Sequence, residues 1–379
     1  MQKSTFTPRT PTNAVQPPRA SRCILHPSET ALPNVRLSAR LDQEFAFRAT
    51  DYYTGLIDPA DPADPIRKLI MPSDDELIEF GTLDASNEAA NTVVPGLQHK
   101  YHDTALMLVT DQCAGFCRYC FRKRLFSDRG RETLHDWRPA VDYIAGHPEI
   151  TDVLMTGGDP LTLPTKTLRA IVEGIMSVPH VQTIRIGSKV PAFNPSRVYA
   201  DEGLHALIGE VVSSGRSLYV MTHFDHPHEL TPRAVAAVSA LRDAGATCLN
   251  QCPVTAGIND DASVLAELLE LTTAAGCPQY YLFQCRPTRG NAHFVVPIER
   301  AFQVVDEARS RVSGLSRRAR FCMSHEDGKV EVVGMDDERF YARFHRAKSS
   351  QDASRMMVFA RDPGALWLED LREWDWQVA

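Results

Sequence analysis

Six short apolar runs alternate with helix-length amphipathic segments through the middle of this 379-residue chain, and this alternation restricts its possible folds more than any other feature. The runs are ALMLV, DVLMTG, TIRIGS, SLYVMTHF, ATCLNQCPV and YYLFQC. Strands that are almost purely apolar are typical of a parallel sheet covered by helices. The pattern therefore predicts an α/β fold of the barrel type, either complete or partial.

Polar clusters mark the carboxyl ends of these predicted strands. They read TDQC, TGGDP, GSK, HFDH and QCR after the first, second, third, fourth and sixth strands, with NQ inside the fifth. Catalytic groups in barrels of this kind gather at the carboxyl ends of the strands. We therefore expect the six clusters to converge on one rim and to form a single site.

Three cysteines, Cys113, Cys117 and Cys120, follow the first predicted strand within eight residues. A structural zinc ion takes four ligands, so three thiolates favour an iron–sulfur cluster with one iron left open, and a partial zinc site is the alternative. The chain shows no apolar signal-peptide core, so its nine cysteines are expected to stay reduced in the cytoplasm rather than to form disulfides.

The formal net charge of −7 gives the chain no overall attraction to nucleic acid or to an anionic membrane. Its apolar runs are also shorter than the ~18 residues that a membrane span needs. Neither nucleic acid nor a membrane is therefore an expected partner.

Composition and pattern divide the chain into four parts. A tail rich in Pro, Ser, Thr and Arg is predicted to be disordered, and a small helical subdomain with a cap at Ser73 follows it. The C-terminal segment is predicted to hold one helix, IERAFQVVDEARSRV, and a hairpin at Asp327-Gly328. The expected boundaries are 1–40 for the tail, 41–100 for the helical subdomain, 101–297 for the barrel and 298–379 for the C-terminal segment.

The CxxxCxxC spacing of the three cysteines resembles that of radical S-adenosylmethionine enzymes. The resemblance implies that Cys113, Cys117 and Cys120 hold three irons of a [4Fe–4S] cluster and that S-adenosylmethionine chelates the fourth. An electron from the cluster then cleaves S-adenosylmethionine to a 5′-deoxyadenosyl radical. A donor such as flavodoxin or ferredoxin is implied as the protein partner.

TGGDP resembles the glycine-rich motif of the same enzymes, which implies that Gly157, Gly158 and Asp159 contact S-adenosylmethionine. The two glycines lack a Cβ and so permit a close approach to the backbone. Asp159 has the alternative role of capping the next turn.

Further segments narrow the resemblance to the lysine 2,3-aminomutase family. In chain order they are VPGLQHKY, LMLVTDQCAGFCRYCFRKR, TGGDPL, IRIGSKVP, THFDHPHELT, NQCPVTAGIND, YYLFQC and NAHFV. The resemblance implies a partial (β/α)6 barrel and an isomerase that moves an α-amino group to the β-carbon with pyridoxal 5′-phosphate. It also implies that His223 and Gln251 contact S-adenosylmethionine and that Arg122 binds the substrate carboxylate, a group that a guanidinium fork suits.

Three positions depart from that family. Thr104 stands where the family has an arginine for the pyridoxal phosphate group, and no GGGGK segment supplies the cofactor lysine. The nearest candidate is Lys329, which the turn signal at Asp327-Gly328 could equally make an ordinary strand residue. Arg286 replaces an aspartate that binds the distal ammonium of lysine, and a cation suits a carboxylate instead. We therefore expect an acidic amino acid as the substrate, with Arg286 in its binding site.

Two other functions remain open at this point. One is a radical enzyme that dispenses with pyridoxal phosphate and acts on another small anionic molecule. The other is a binding protein that uses the cluster as a redox sensor, which would not need six decorated strand ends. A homo-oligomer is possible on the sequence alone.

Overall fold

The computed structural model describes residues 21–32, 38–127 and 130–375. Most of the tail predicted over 1–40 lies outside these described residues. The strands are β1 (Cys23–Ile24), β2 (Ala49–Thr50), β3 (Thr92–Val94), β4 (Leu97–Tyr101), β5 (Thr104–Thr110), β6 (Asp152–Gly157), β7 (Thr183–Ser188), β8 (Ser217–Thr222), β9 (Thr247–Val254), β10 (Gln279–Gln284), β11 (Arg320–His325), β12 (Gly328–Met335), β13 (Arg339–Ala347) and β14 (Met356–Ala360).

The α-helices lie mainly between the strands, and no described helix has the length and apolarity to cross a membrane. They are α1 (Ala39–Glu44), α2 (Asp51–Thr54), α3 (Pro65–Ile70), α4 (Arg124–Ser127), α5 (Arg138–Ala145), α6 (Thr165–Met176), α7 (Val190–Phe193), α8 (Ser196–Tyr199), α9 (Glu202–Ser213), α10 (Pro232–Asp243), α11 (Ala262–Ala275) and α12 (Ile298–Arg311).

Strands β3 to β14 form one sheet in which the strands follow each other in chain order, while β1 and β2 form a separate pair. Strands β5 to β10 pair in parallel, and at least one helix separates each from the next. These are the six strands predicted from the apolar runs, so the α/β expectation is confirmed. The strands on either side of this parallel block are antiparallel, apart from the parallel β10–β11 pair.

The parallel strands present different faces to the helices and to the interior. In β6, Val153 and Met155 are fully buried in the core formed with the helices, whereas Leu154 and Thr156 line a cavity. Burying an aliphatic side chain of this size contributes roughly 1.5–3 kcal/mol, so the helix-covered face supplies most of the stabilisation. The inner face is left free to carry polar groups.

The two ends of the large sheet meet through side chains. Arg346 of β13 donates hydrogen bonds to Thr104 and Asp103, at the start of β5. Lys100 of β4 donates to the carbonyl oxygen of His325, at the end of β11. Because six or more strands separate these partners within the sheet, the sheet must curl around the interior for them to touch.

The segment between residues 41 and 100 contains short helices rather than long ones, because prolines and short strands interrupt them. Ser73 caps a 3-10 turn at Asp74–Leu77, as predicted. The predicted hairpin is present, since β11 and β12 pair up to His325 and Gly328. The four domain boundaries themselves stay predictions.

Candidate active site

A cavity of about 360 Å³ lies at the carboxyl ends of the parallel strands, between the cysteine loop and the β11–β12 hairpin. It brings together every site residue that the sequence indicated. These are Cys113, Cys117, Cys120, Arg122, Gly157, Gly158, Asp159, His223, Gln251, Arg286 and Lys329. Their convergence is a property of the structure, whereas the role of each one stays a prediction.

The cysteine loop is fixed from outside the barrel strands. Backbone amides of Phe116 and Arg118 donate to the carbonyl oxygens of Arg48 and Leu69, in the N-terminal region. The Arg118 guanidinium also forms a bidentate ion pair with Glu76, at 2.8 Å for both hydrogen bonds. The loop therefore has one set position against the cavity.

All three cysteines of the loop are free thiols and half-buried. Burial raises the pKa of the Cys113 thiol well above its ordinary value, and Asp159, Cys120 and Cys117 raise it further. The mutual effect of the three cysteines shows that their sulfur atoms lie near one another. A fourth cysteine, Cys285, lines the same cavity, and burial raises the pKa of its thiol to about 12, against the effect of Lys123 and Arg286.

No three or more His, Cys, Asp or Glu side chains in the described part of the chain surround one point as the ligands of a single metal ion do. Each thiolate of a [4Fe–4S] cluster binds a different iron, so cluster ligands stand further apart than the ligands of one ion. Three free thiols on one loop, facing a cavity, fit a cluster.

The glycines after β6 are required by the neighbouring chain. A Cβ on Gly158 would lie 2.3 Å from the carbonyl oxygen of Gln112, and one on Gly157 would lie 2.5 Å from that of Thr110. The amide of Gly158 also donates to Thr110, at 2.6 Å. This donor is therefore used within the protein, and a ligand amino group, itself a donor, would need carbonyl oxygens here.

Asp159 ties two strand ends together. One carboxylate oxygen caps the turn at Leu161, and the other accepts hydrogen bonds from Ser188 Oγ and from the amides of Lys189 and Val190. Burial raises the pKa of this carboxyl to about 6, against the effect of these donors. The structure thus shows the capping alternative, while any contact with S-adenosylmethionine stays a prediction.

His223 and Gln251 form a pair across β8 and β9, with Gln251 Nε2 2.9 Å from His223 Nε2. Burial lowers the pKa of His223 to about 3, and the positive charges of Lys189 and Arg122 lower it too. The imidazole is therefore neutral at physiological pH. Since the glutamine amide is a donor, Nε2 of His223 is the accepting nitrogen and Nδ1 carries the proton.

Arg122 is held by a residue that the sequence did not indicate. Its Nη2 lies 2.7 Å from Glu88 Oε1, and Nη1 donates to Thr156 at 2.9 Å. Burial opposes ionisation of Glu88, but Arg122 and Arg124 outweigh it and lower the pKa to about 2. Glu88 therefore occupies the Nε side of the guanidinium, and Thr156 accepts a hydrogen bond from Nη1.

Lys329 extends from β12 into the cavity between two aromatic rings. Its Nζ lies 5.0 Å from the ring centre of Tyr281 and 4.8 Å from that of Phe283. No described residue accepts a hydrogen bond from it. Burial lowers its pKa to about 7, as do Lys100, Arg185 and Arg286, which outweigh the opposing effect of Cys322. A large fraction of the amine is consequently unprotonated and nucleophilic near neutral pH.

Arg286 lies beside the hairpin without a carboxylate partner among the described residues. It donates to the carbonyl oxygen of Ser324, its Nε has no hydrogen-bond partner, and its guanidinium stacks 4.6 Å from the Phe121 ring centre. Burial lowers its pKa to about 10. A buried cation of this kind is completed by an anion, so the site favours an anionic ligand group.

Lys100 and Arg346 join this part of the cavity, although the sequence did not single them out. Burial lowers the pKa of Lys100 to about 8, with a further contribution from Arg286. Arg346 brings a guanidinium to Thr104 at 2.6 Å, and Thr104 is the position where an arginine was missing. No local signal could have identified Arg346, because it is 242 residues away along the chain.

Comparisons with known proteins found relatives by sequence. No family model matches the chain. A putative L-lysine 2,3-aminomutase of Aquifex aeolicus is 47% identical over 335 residues, 88% of this chain and 90% of that protein. The L-lysine 2,3-aminomutase of Clostridium subterminale is 35% identical over 70% of this chain, which spans 63% of that protein.

One solved structure, a radical SAM methyltransferase from Sphaerobacter thermophilus, is similar with a TM-score of 0.41 and 17% identity. The match covers 60% of this chain and 68% of that one. This likeness is too low to support an argument about function.

Proposed function

Because the chain belongs to the lysine 2,3-aminomutase family of radical S-adenosylmethionine enzymes, we propose that it shifts the amino group of an acidic amino acid from C2 to C3. The chain is an isomerase of this family, and the family implies an iron–sulfur cluster and S-adenosylmethionine. One observation carries the proposal: the residues expected from the sequence, which include three free thiols, all line one cavity.

Cys113, Cys117 and Cys120 would hold a [4Fe–4S] cluster, and the cluster with S-adenosylmethionine supplies a 5′-deoxyadenosyl radical for hydrogen abstraction. His223 and Gln251, being neutral and hydrogen-bonded to each other, present a polar surface to that cofactor without adding charge.

Lys329 would hold pyridoxal 5′-phosphate, which supplies a conjugated system that stabilises an unpaired electron next to the amino nitrogen. The amine fits this role because its pKa is lowered to about 7 and it has no competing hydrogen-bond partner among the described residues. Tyr281 and Phe283 would flank a planar ring. The cations Lys100 and Arg346 line the same cavity and would bind the phosphate group.

The substrate would be bound at both ends by guanidinium groups. Arg122, oriented by Glu88 and Thr156, would bind the α-carboxylate through its remaining N–H groups, and Arg286 would bind a side-chain carboxylate. The ammonium of a lysine substrate would instead be repelled by Arg286. Glutamate and aspartate are therefore the first candidates.

We also propose that the sheet is a partial (β/α)6 barrel whose open side is filled by the β11–β12 hairpin. The contacts of Arg346 and Lys100 across the two sheet ends support this arrangement. The hairpin then carries Lys329 to the interior. The electron donor, a flavodoxin or ferredoxin, and the oligomeric state are open to direct measurement.

The first experiment tests radical initiation. Protein purified without oxygen from iron-replete cells is expected to be brown and, once reduced, to cleave S-adenosylmethionine to 5′-deoxyadenosine. Replacing Cys113, Cys117 and Cys120 by Ala should abolish both properties, whereas Cys23→Ala, at an exposed position, should abolish neither. A colourless, iron-free wild-type protein would refute the proposal. Cluster content without any cleavage would favour a redox sensor.

The second experiment tests the cofactor and the substrate. Bound pyridoxal phosphate should give a visible absorbance band that borohydride removes and that Lys329→Ala lacks, while Lys166→Ala, on the exposed side of α6, retains it. Chromatography of reactions with glutamate, aspartate and lysine should show a β-amino acid only from an acidic substrate. Turnover without the absorbance band would favour a radical enzyme independent of pyridoxal phosphate.

A further inference from the structure

A buried group of three charged side chains lies beside the cysteine loop and has no part in the function proposed above. We call Lys189, Asp225 and Glu229 the buried triad. Lys189 Nζ lies 2.6 Å from Asp225 Oδ2 and 2.5 Å from Glu229 Oε1. The side chain of Lys189 is 7% exposed and both acidic side chains are 0% exposed.

Further donors complete the acidic side of the buried triad. Tyr119 donates its hydroxyl to Asp225 Oδ2 at 2.8 Å, and Tyr53 donates to Glu229 Oε1 at 2.6 Å. Glu229 Oε2 accepts hydrogen bonds from the backbone amides of Asp225 and His226. The buried triad thus holds two carboxylates and one ammonium, which is an excess of one formal negative charge.

This excess charge acts on the cysteine loop. Tyr119 stands between Cys117 and Cys120 in the chain, and Lys189, Tyr119 and Cys117 all line the cavity. The hydrogen bond from the Tyr119 hydroxyl to Asp225 Oδ2, 2.8 Å long, joins the buried triad directly to the loop between these two cysteines. Asp225 Oδ1 is buried without a hydrogen-bond partner, so no donor offsets the charge on that oxygen.

A purely stabilising role explains the buried triad poorly. Removing three charges from water is costly, and a protein with apolar side chains of similar volume in their place is often as stable or more so. Such a cost is commonly borne where the charges have a functional effect. The effect available here is the electrostatic potential at the sulfur of Cys117.

We propose that the buried triad lowers the reduction potential of the cluster that Cys117 helps to hold, an inference that rests on the proposed function. Asp225 and Glu229 oppose the arrival of an electron, because one-electron reduction adds a negative charge nearby. The electron comes from an external one-electron reductant, and no bond in the buried triad forms or breaks. A lower potential makes the reduced cluster a stronger reductant toward S-adenosylmethionine.

The test uses Asp225→Asn and Glu229→Gln in the full, cluster-loaded chain. Each amide keeps the shape of the side chain and an accepting oxygen but removes one negative charge. A dithionite titration followed by electron paramagnetic resonance measures the midpoint potential of the cluster. In each variant this potential should be less negative than in the wild-type protein. The ratio of reduced to oxidised cluster at a fixed solution potential should rise at least about threefold.

Tyr53→Phe provides a milder variant outside the cavity. Loss of its hydroxyl leaves more negative charge on Glu229, so a smaller shift to a more negative potential is expected. Its matched control is Tyr52→Phe, whose hydroxyl bonds to Thr231 and not to a carboxylate, and which should leave the potential unchanged. If the amide variants do not fold, the comparison of these two phenylalanine variants decides the question.

The outcomes separate the two proposals. Full iron content with unchanged potentials in the folded variants of Asp225, Glu229 and Tyr53 would overturn the role of the buried triad. Glu299→Gln, on α12, removes a buried carboxylate that is paired with Arg361. A shift of equal size in this variant would also overturn the role of the buried triad. A wild-type protein that binds no cluster would overturn the proposed function instead.

Discussion

At the scale of single residues, the cavity is defined by charges that have no partner of opposite sign. Lys100, Arg286 and Lys329 form no ion pair with any described carboxylate, whereas Arg122 is paired with Glu88. Burial is the largest cause that lowers the pKa of each of the three cations, and neighbouring positive charges lower it further. The folded protein without ligands therefore stores an electrostatic cost that an anionic ligand would relieve.

Lys329 makes this cost measurable. Its pKa is about 7 in the folded chain and about 10.4 when unfolded, so the unfolded state binds the extra proton between these values. The free energy of unfolding should therefore rise with pH across that window, and the cost of the charge is fully present below pH 7. Lys329→Met is expected to stabilise the cofactor-free protein by about 2–4 kcal/mol more at pH 6 than at pH 10.

Urea denaturation at the two pH values would measure this difference. Lys166→Met is the control, because Lys166 is exposed on α6 and its substitution should have the same small effect at both pH values. Equal stabilisation by Lys329→Met at pH 6 and pH 10 would show that Lys329 is not a buried cation.

At the scale of elements, the β11–β12 hairpin sets the position of Lys329. Gly328 has φ of +151°, and a Cβ there would lie 2.2 Å from the carbonyl oxygen of Arg346. Lys329 stands opposite Ser324 in the antiparallel register. Since neighbouring residues of a strand point to opposite faces, a shift of one residue would turn Lys329 out of the cavity.

Gly328→Ala is therefore expected to lower the free energy of unfolding by about 2–3 kcal/mol and to reduce the bound fraction of pyridoxal phosphate. Gly334→Ala on the same strand is the matched control, because a Cβ there meets no atom within 4 Å. Urea denaturation and visible absorbance would measure the two effects. Normal pyridoxal phosphate content in Gly328→Ala would show that the turn conformation at Gly328 does not set the position of Lys329.

The cysteine loop depends in the same way on Glu76, which pairs with Arg118 and Lys123 in a buried position. Glu76→Gln should cost about 3–5 kcal/mol, because it leaves two buried cations with one partner fewer. Iron content after reconstitution should fall as the loop loosens. The more exposed pair of Glu44 and Arg289 offers a control, Glu44→Gln, which should cost at most about 1 kcal/mol. Unchanged iron content and stability in Glu76→Gln would contradict this account.

At the scale of the whole molecule, contacts between the two ends of the large sheet close the cavity. Arg346 donates to Thr104 and stacks 4.2 Å from the ring centre of Tyr101. The hydrogen bonds of Arg346 and Lys100 join these ends, as does one from Asn87 Nδ2 to Glu326, so each should contribute to coupling β4 with β12 and β13. Loss of one contact should then destabilise the strands at both ends of the sheet.

Arg346→Ala is expected to lower the free energy of local opening by ~1.4 kcal/mol. Amide hydrogen exchange should then be about tenfold faster in both β4 and β12. Arg343→Ala, which removes an ion pair with Glu331 within the β12–β13 hairpin, should affect only those two strands. Hydrogen exchange followed by mass spectrometry would distinguish them. Faster exchange in β12 alone in Arg346→Ala would mean that the sheet ends are not coupled.

Features that depend on neighbouring residues in the chain were predictable from the sequence. The six parallel strands follow from short apolar runs, the β11–β12 turn from Asp327-Gly328, and the grouping of three thiols from their spacing on one loop. Each of these signals is local, because strand burial, turn conformation and loop reach are set within about ten residues. The family resemblance additionally predicted the site residues that line the cavity.

The tertiary structure decided which groups meet across long separations and which donors remain free. It placed Glu88 against Arg122, brought Arg346 to Thr104, and left Arg286 without a carboxylate. It also explained why position 158 is a glycine, because the backbone of Gln112 lies too close to leave room for a Cβ. These facts depend on the curl of the sheet and the register of its strands, which no local pattern encodes, because both are settled by packing across the whole cavity.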